Sequence, residues 1–175
     1  MDIKLLVMDV DGTLTDGKIY MSANGELMKA FNIKDGYAIA RLKEYGIEPA
    51  IITGRESEIV KQRCVELKIT ELYQGIENKL FKLKDICDKK GLTLSQVAYI
   101  GDDVNDLPCI QQCGVTACPA DAVKKVKSAV TMVMQAKGGE GAVRDFCEYL
   151  IEKYCSKGDN EIADYEFSEI KFEEQ

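Results

Sequence analysis

The amino-acid sequence predicts a three-layer α/β fold, in which a parallel β-sheet lies between two layers of helices. Short apolar runs alternate with segments of helical periodicity through most of the 175 residues. The Asn24-Gly25 pair, between two short apolar segments, is a strong signal for a β-hairpin turn. The length suits one ordinary domain with a substantial hydrophobic core. We therefore expect a single Rossmann-like domain with a small hairpin insertion.

The predicted elements follow one another in a regular order of strand and helix. Strands are expected at residues 3–10, 49–53, 97–101, 115–118 and 129–134, and the hairpin pairs 19–21 with 26–31. Helices are expected at residues 35–45, 56–67, 79–90, 105–113, 120–126 and 142–154. Residues 1–155 are predicted to form the domain, and residues 156–175 an acidic, irregular C-terminal tail.

The net charge disfavours a nucleic-acid-binding protein, and the length of the apolar runs disfavours a membrane-spanning one. A formal net charge of −7 disfavours general nucleic-acid binding, which needs a basic face. No apolar run approaches the roughly 20 residues that span a bilayer. The first nine residues lack the layout of a signal peptide, because their apolar stretch is short and ends in an acid. We therefore expect a cytoplasmic protein that acts on a small molecule.

Seven cysteines and the absence of histidine narrow the chemistry further. The number of cysteines is odd and no Cys-x-x-Cys pair occurs, which disfavours a disulfide framework and a zinc site. Reduced, mostly buried thiols are the simplest interpretation. Without histidine, every mechanism that depends on a histidine base is excluded.

Acidic and polar residues directly follow three of the predicted strands. Asp9 and Asp11 come at the end of the first strand, and Thr53 at the end of the next strand of the sheet. The run Gly101-Asp102-Asp103 ends the strand at residues 97–101. Ligands of parallel α/β sheets bind at the carboxyl ends of the strands. These side chains are therefore expected to meet at one edge of the sheet.

Carboxylates that converge on one edge repel one another unless a cation neutralises them. Mg²⁺ prefers hard oxygen ligands, so we predict a magnesium site formed by Asp9, Asp11 and Asp102. Asp9 is the predicted nucleophile, which accepts a phosphoryl group and divides hydrolysis into two easier steps. Asp11 is the predicted general acid and base. Gly12 permits a tight turn that brings backbone N–H groups towards the phosphate.

Two further residues complete the predicted catalytic set. Thr53 offers a hydroxyl donor to a phosphoryl oxygen, and Lys79 stabilises the charge of the transferring group. Asp103 and Asp106 are expected to orient the site or its waters. Each feature alone has a simpler interpretation, since Lys79 could lie on a solvated helix face and Asp103 could belong to a helix N-cap. The order of all these features along the chain favours a functional site.

Taken together, the motifs resemble those of the haloacid dehalogenase superfamily of phosphatases. Its four motifs match Asp9-Val10-Asp11-Gly12-Thr13, Thr53, Lys79 and Gly101-Asp102-Asp103-Val104-Asn105-Asp106. Within the superfamily, the sequence is similar to the 3-deoxy-D-manno-octulosonate 8-phosphate phosphatases, small members that act in lipopolysaccharide sugar synthesis. That narrower match is carried by Phe31-Asn32-Ile33-Lys34-Asp35-Gly36, Ile51-Ile52-Thr53-Gly54-Arg55, Leu72-Tyr73-Gln74-Gly75 and Gly138-Gly139-Glu140-Gly141-Ala142-Val143-Arg144.

The resemblance implies a Mg²⁺-dependent phosphatase that releases the free sugar acid and phosphate through an aspartyl-phosphate. It also implies a homotetramer, in which the hairpin at residues 19–31 shapes the assembly and a neighbour's C-terminal segment covers the active site. A chain of this length leaves no room for an inserted cap domain, so water must be excluded from the site by other means.

The same resemblance suggests which residues contact the substrate. They are Asn32, Ile33, Lys34, Asp35 and Gly36 of one loop, together with Arg55, Arg63, Lys79 and Arg144. An arginine can bind a carboxylate through two hydrogen bonds, which suits an acidic sugar phosphate. Arg55 and Arg63 are eight residues apart, so one helix face could present both, unless they are ordinary surface arginines in salt bridges. Arg144 would act in its own or in a neighbouring subunit.

Three alternatives to this assignment stay open: a nine-carbon substrate, a phospho-acceptor signalling module and a non-catalytic relative. Close relatives act on nine-carbon sialic-acid-type 9-phosphates, although Arg55 favours the eight-carbon acid. Ala40 stands where some members carry a longer polar residue, so one substrate contact is expected to be missing. A phospho-acceptor signalling module combines similar residues, but its acceptor follows a middle strand, whereas Asp9 follows the first. A non-catalytic, oligomer-forming relative would not need the full catalytic set.

Overall fold

Six parallel strands form one sheet, and two further strands form a separate hairpin. The computed structural model describes residues 2–155. The strands are β1 (Leu5–Met8), β2 (Tyr20–Ser22), β3 (Gly25–Met28), β4 (Glu48–Ile52), β5 (Glu71–Tyr73), β6 (Val97–Ile100), β7 (Val115–Cys118) and β8 (Met132–Val133). The sheet has the order β5-β4-β1-β6-β7-β8, and all neighbouring strands in it run parallel. β2 and β3 pair in antiparallel fashion, which confirms the predicted hairpin.

Helices cover both faces of the sheet, as the three-layer prediction requires. They are α1 (Ile33–Arg41), α2 (Glu58–Glu66), α3 (Lys79–Lys90), α4 (Leu107–Ile110), α5 (Lys124–Lys127) and α6 (Ala142–Tyr154). β1 alternates between the two faces, because Leu6 and Met8 belong to one hydrophobic cluster and Leu5 and Val7 to the other. The first cluster includes residues of α1, α2 and α6, and the second includes residues of α3, α4 and α5.

Several predicted boundaries are wrong, and one strand was not predicted. β5 is a three-residue edge strand whose side chains are all half-buried, so it carries no clear alternation of apolar and polar residues. The helix expected at 105–113 is instead a 3₁₀ turn, Val104–Asp106, followed by α4. Pro108 lies at the start of α4, where its missing N–H is tolerated. α5 also begins later, and β8 is shorter, than the sequence suggests.

Other expectations from the sequence agree with the structure. All seven cysteines are free thiols, and burial raises the pKa of Cys64 to about 11 and of Cys109 to about 12. Between β1 and α1 the only regular structure is the hairpin, so residues 2–155 contain no cap domain there. Over the same residues, no helix combines the length and the hydropathy needed to cross a membrane. The predicted acidic tail at 156–175 lies outside the described residues.

Candidate active site

Three adjacent strands end at one edge of the sheet, and each is followed by predicted site residues. β1 lies between β4 and β6, with Met8 in register with Ile51 on one side and Ile100 on the other. The backbone N–H of Asp9 donates to the carbonyl of Ile100 at 3.1 Å, so the residues after β1 and β6 stay side by side. Asp9 itself is buried. The strand order therefore brings the Asp9, Thr53 and Asp102 segments together.

Lys79 connects two carboxylates at the centre of the site. It is the first residue of α3, whose N-cap is Asn78. Its Nζ lies 2.8 Å from Asp9 Oδ1 and 2.7 Å from Asp106 Oδ1, and its side chain is only 1% exposed. Burial lowers the pKa of Lys79, but attraction to Asp9 and Asp106 outweighs burial, so the pKa is raised and the amine stays charged. The alternative of a solvated helix face is therefore excluded.

Asp106 is a fully buried carboxylate that accepts hydrogen bonds on both oxygens. Oδ1 accepts from Lys79 and, at 2.6 Å, from the Tyr99 hydroxyl. Oδ2 accepts from the backbone N–H groups of Asp102 and Asp103, at 3.1 and 3.3 Å. A Cβ at Gly101 would overlap this carboxylate, so glycine is required there. Asp106 thus fixes both the lysine and the loop after β6, in agreement with the orienting role predicted for it.

The two aspartates after β6 have different roles, since one caps a helical turn and the other belongs to the site. Asp103 caps the 3₁₀ turn, because its Oδ1 accepts from the N–H of Val104 at 2.7 Å. Asp102 instead points to the site, where its Oδ1 accepts from the Thr13 hydroxyl at 3.0 Å. Gly12 has a φ of +90°, and a Cβ there would overlap Asp102 Oδ2. The turn after β1 therefore needs glycine in order to admit the carboxylate.

The carboxylates of Asp9, Asp102 and Asp106 form an acidic cluster that suits a divalent cation. Each offers an oxygen, and these oxygens all lie within 4.8 Å of one another. Burial and the charge of Asp106 raise the pKa of Asp9 to about 6, although Lys79 opposes this shift. Burial and the charge of Asp9 raise the pKa of Asp102 to about 7. A hard cation such as Mg²⁺ would relieve this repulsion. Since Asp106 already accepts four hydrogen bonds, Asp9 and Asp102 are the better ligands.

Asp11 follows Asp9 by two residues, and its carboxylate pairs with residues outside the acidic cluster. It forms an ion pair with Lys29, and its Oδ2 lies 3.8 Å from Nε of Arg55. The side chain of Asp11 is not one of the three that form the cluster. Its roles as metal ligand and as general acid and base therefore stay predictions.

Thr53 directly follows β4 and is held there by backbone hydrogen bonds. Its N–H donates to the carbonyl of Tyr73 at 3.0 Å, and its carbonyl accepts from the N–H of Ile76 at 3.1 Å. The residue is buried, and within residues 2–155 its hydroxyl makes no hydrogen bond. The hydroxyl can therefore donate to a ligand at this edge of the sheet, and its contact with a phosphoryl oxygen stays a prediction.

Sequence reasoning missed a second polar cluster, at the hairpin. Lys29, directly after β3, contacts Asp11 and also lies 3.1 Å from Glu26 Oε1. Glu26 accepts a hydrogen bond from the hydroxyl of Ser57, which is the N-cap of α2. Arg55 Nη2 lies 4.0 Å from Glu26 Oε1. No motif marks these residues, because their proximity depends on how the hairpin folds back.

The predicted substrate loop forms the start of α1. Asn32 is the N-cap, since its Oδ1 accepts from the N–H of Lys34 at 2.8 Å. Ile33 is 82% exposed and Lys34 is exposed, whereas Asp35 and Gly36 are buried. Asp35 Oδ1 accepts from the backbone N–H of Arg144 at 2.7 Å and so joins α1 to the start of α6. Asp35 thus serves helix packing within one chain.

The expectation that one helix face presents Arg55 and Arg63 is wrong. α2 begins at Glu58, so Arg55 precedes the helix and its N-cap. Arg63 lies over the Phe31 ring at 5.6 Å and donates to the Asn32 carbonyl at 3.4 Å. Only Arg55 reaches the groups around Asp11.

The remaining predicted arginine, Arg144, lies in the first turn of α6. Its guanidinium pairs with Glu148 on the same helix and lies 5.4 Å from the centre of the Tyr37 ring. In this arrangement the side chain contacts α1 and α6, and its substrate role stays a prediction.

The fold and the site together define a haloacid dehalogenase-like hydrolase. A family model of that description matches residues 68–146. A 3-deoxy-D-manno-octulosonate 8-phosphate phosphatase of Escherichia coli is 45% identical over 150 residues, which make up 86% of this chain and 80% of the relative. The chain therefore belongs to the 3-deoxy-D-manno-octulosonate 8-phosphate phosphatase family, as the motifs suggested.

Solved structures support the same assignment. The Moraxella catarrhalis 3-deoxy-D-manno-octulosonate 8-phosphate phosphatase, in complex with magnesium, phosphate and KDO, has a TM-score of 0.83 and 40% identity, and the match covers 86% of each chain. The cobalt-bound deoxy-D-mannose-octulosonate 8-phosphate phosphatase of Haemophilus influenzae has a TM-score of 0.84 and 38% identity, with 87% of this chain and 90% of that chain covered.

Proposed function

We propose that this protein is a Mg²⁺-dependent phosphatase that converts 3-deoxy-D-manno-octulosonate 8-phosphate to the free sugar acid and phosphate. The observation that carries the proposal is the buried contact of Lys79 with Asp9, beside the carboxylate of Asp102. A charged amine and a cation site on either side of one carboxylate suit the attack of that carboxylate on a phosphate. The family membership of the chain supports the same reaction.

The reaction would proceed in two steps at Asp9. In the first, a carboxylate oxygen of Asp9 bonds to phosphorus, the bond from phosphorus to the sugar oxygen breaks, and Asp11 gives that oxygen a proton. In the second, Asp11 takes a proton from water as the water oxygen attacks phosphorus, and Asp9 is released with inorganic phosphate. Lys79 and the Thr53 hydroxyl would stabilise the phosphoryl oxygens. A divalent cation held by Asp9 and Asp102 would supply positive charge that offsets the incoming phosphoryl group.

Arg55 is the best-supported contact for the carboxylate of the sugar acid. Its side chain is 42% exposed, and its distances of 3.8 and 4.0 Å to Asp11 and Glu26 leave the guanidinium free to bind an anion. Arg63 and Asp35 already serve contacts within the fold, so their predicted substrate roles rest on the resemblance alone. Contacts from Asn32–Gly36 and Arg144 belong to the same proposal.

A phosphate-release assay with Mg²⁺ tests the enzyme assignment. Wild type should release phosphate from the eight-carbon substrate, and Asp9→Asn should lose at least about 10⁴-fold in kcat because the nucleophile is gone. A panel that includes nine-carbon sialic-acid-type 9-phosphates tests the substrate. Faster turnover of a nine-carbon acid would replace the proposed substrate, and the absence of any turnover would favour a non-catalytic or phospho-acceptor role.

The proposal extends to a homotetramer in the cytoplasm that acts in lipopolysaccharide synthesis. The hairpin supports self-association, because Ile19, Met21, Leu27 and Met28 expose large apolar side chains on it. Light scattering of the purified full chain should give four times the chain mass. A monomer at assay concentration would contradict the tetramer without affecting the proposed reaction.

A further inference from the structure

The side chain of Lys29 is buried although its neighbours in the chain are exposed. Its side chain is 3% exposed, whereas Met28 and Ala30 are exposed. Removing an ammonium group from water is unfavourable unless it is paired. Its Nζ contacts the carboxylates of Asp11 and Glu26. An apolar side chain would anchor a hairpin without this desolvation, so the buried charge points to a role beyond anchoring.

The position of Lys29 is fixed from two sides. Glu26 accepts from the Ser57 hydroxyl, and that hydroxyl also accepts from the N–H of Val60 as the cap of α2. The hairpin cation is therefore tied to the start of a helix in the core. Among residues 2–155, Asp11 has one further charged partner besides Lys29, which is Arg55 at 3.8 Å. Lys29 thus determines the direction of the Asp11 carboxylate.

This direction suits an acid that acts on the leaving group. In phosphoryl transfer the attacking and leaving oxygens lie roughly in line, so the sugar oxygen leaves on the side of phosphorus opposite Asp9. The Asp11 carboxylate is not a member of the cluster around Asp9, and it is instead paired with Lys29 of the hairpin. We infer that Lys29 is a positioning residue, which holds the Asp11 carboxylate where it can protonate the leaving sugar oxygen. The inference rests on the proposed phosphatase function, with Asp11 as its acid and base.

The leaving group of the substrate distinguishes this role from a merely structural one. A sugar alkoxide needs a proton as it leaves, whereas p-nitrophenolate is stable as an anion and needs little assistance. The ratio kcat/KM reports the steps up to phosphoryl transfer to Asp9 and excludes the later attack of water. A defect in the direction of Asp11 should therefore lower kcat/KM for the sugar phosphate selectively.

The experiment compares wild type, Lys29→Met, Asp11→Asn and the double variant on both substrates with Mg²⁺. For Lys29→Met we expect kcat/KM on the sugar phosphate to fall about 10- to 100-fold, and on p-nitrophenyl phosphate by less than about threefold. The double variant should lose no more than Asp11→Asn alone, since Lys29 acts through Asp11. Lys18→Met is the matched control, because the Lys18 side chain is 73% exposed and pairs with Asp16 at 3.6 Å, away from Asp11 and Glu26 among the contacts of residues 2–155. It should behave as wild type.

Equal losses on both substrates, or a further loss in the Asp11→Asn background, would overturn the inference in favour of hairpin stability. If circular dichroism shows that Lys29→Met does not fold, Lys29→Arg replaces it, because it keeps the charge but moves it relative to Asp11. The same selective loss, at smaller amplitude, is then expected, and an equal loss again overturns the inference. A wild type that hydrolyses neither substrate would refute the proposed function itself.

Discussion

Asp9 and Asp11 are two residues apart, yet they lie in two very different environments. Asp9 is held by Lys79 in a buried cluster, built from residues at the ends of β1 and β6 and the start of α3. Asp11 faces a partly exposed cluster, built from the hairpin and the loop after β4. The surroundings of Asp9 are therefore fixed by the core, while those of Asp11, the proposed general acid, depend on a peripheral insertion. With this arrangement, the hairpin can change to suit a different sugar while the residues around Asp9 stay the same.

Among the variants of the buried cluster, Lys79→Met is expected to have the largest effect. We expect kcat to fall about 10²- to 10³-fold, because a donor to the transferring group is lost. Stability should also fall by about 3–5 kcal/mol, since Asp9 and Asp106 lose their buried counter-ion. Lys82→Met is the control, because Lys82 lies on the same helix and pairs with Asp85 at 3.2 Å. Full kcat in folded Lys79→Met, together with normal thermal unfolding, would refute the central role of Lys79.

A pair of glycine variants tests the fit of Asp102 against the turn after β1. Gly12 and Gly25 both have positive φ, but only a Cβ at Gly12 would meet Asp102. For Gly12→Ala we expect the Mg²⁺ concentration at half-maximal activity to rise about 10- to 100-fold, since the ligand must move. Gly25→Ala should cost only the backbone strain of about 1–2 kcal/mol. Similar magnesium titrations for both variants would contradict the assignment of Asp102 as ligand.

The exposed side of the site is tested with Arg55→Met. KM for the sugar-acid phosphate should rise about tenfold, which corresponds to the loss of one charge-assisted hydrogen bond. KM for p-nitrophenyl phosphate, which has no carboxylate, should stay the same. Arg41→Met is the control, because the Arg41 side chain is similarly exposed, at 39%, but pairs with Glu44 just after α1. Equal changes of KM for both substrates would show that Arg55 does not bind the carboxylate of the sugar acid.

The smallest effect is expected for Tyr99→Phe, behind the reacting centre. The variant removes one donor to Asp106, but Lys79 and two backbone N–H groups remain. Thermal or urea unfolding should show a loss of about 1–3 kcal/mol, with kcat lowered only a few-fold. Tyr45→Phe is the control, since within residues 2–155 its hydroxyl makes no hydrogen bond. A loss of kcat as large as that of Lys79→Met would mean that Tyr99 acts in the reaction directly.

Most of the buried cluster could be predicted from the sequence. Asp9, Thr53 and Asp102 each closely follow a strand with a strong apolar signal, and the ends of parallel strands meet at one edge of the sheet. Lys79 begins a helix whose predicted bounds match α3. The expectation that one helix face presents Arg55 and Arg63 was wrong, because Ser57 caps α2 after Arg55. The sequence did not predict β5, because its three half-buried residues show no clear alternation of apolar and polar side chains.

The sequence by itself predicted the acidic residues at the carboxyl edge of the sheet, with Asp9 as the proposed nucleophile. That was possible because strand ends are a local property, which apolar runs and turns encode within a few residues. Only the tertiary structure decided which side chains face Asp11. Lys29 and Arg55 come to Asp11 through the hairpin and the loop after β4, and such long-range contacts depend on how separate segments pack. Packing of this kind leaves no periodic signal in either segment.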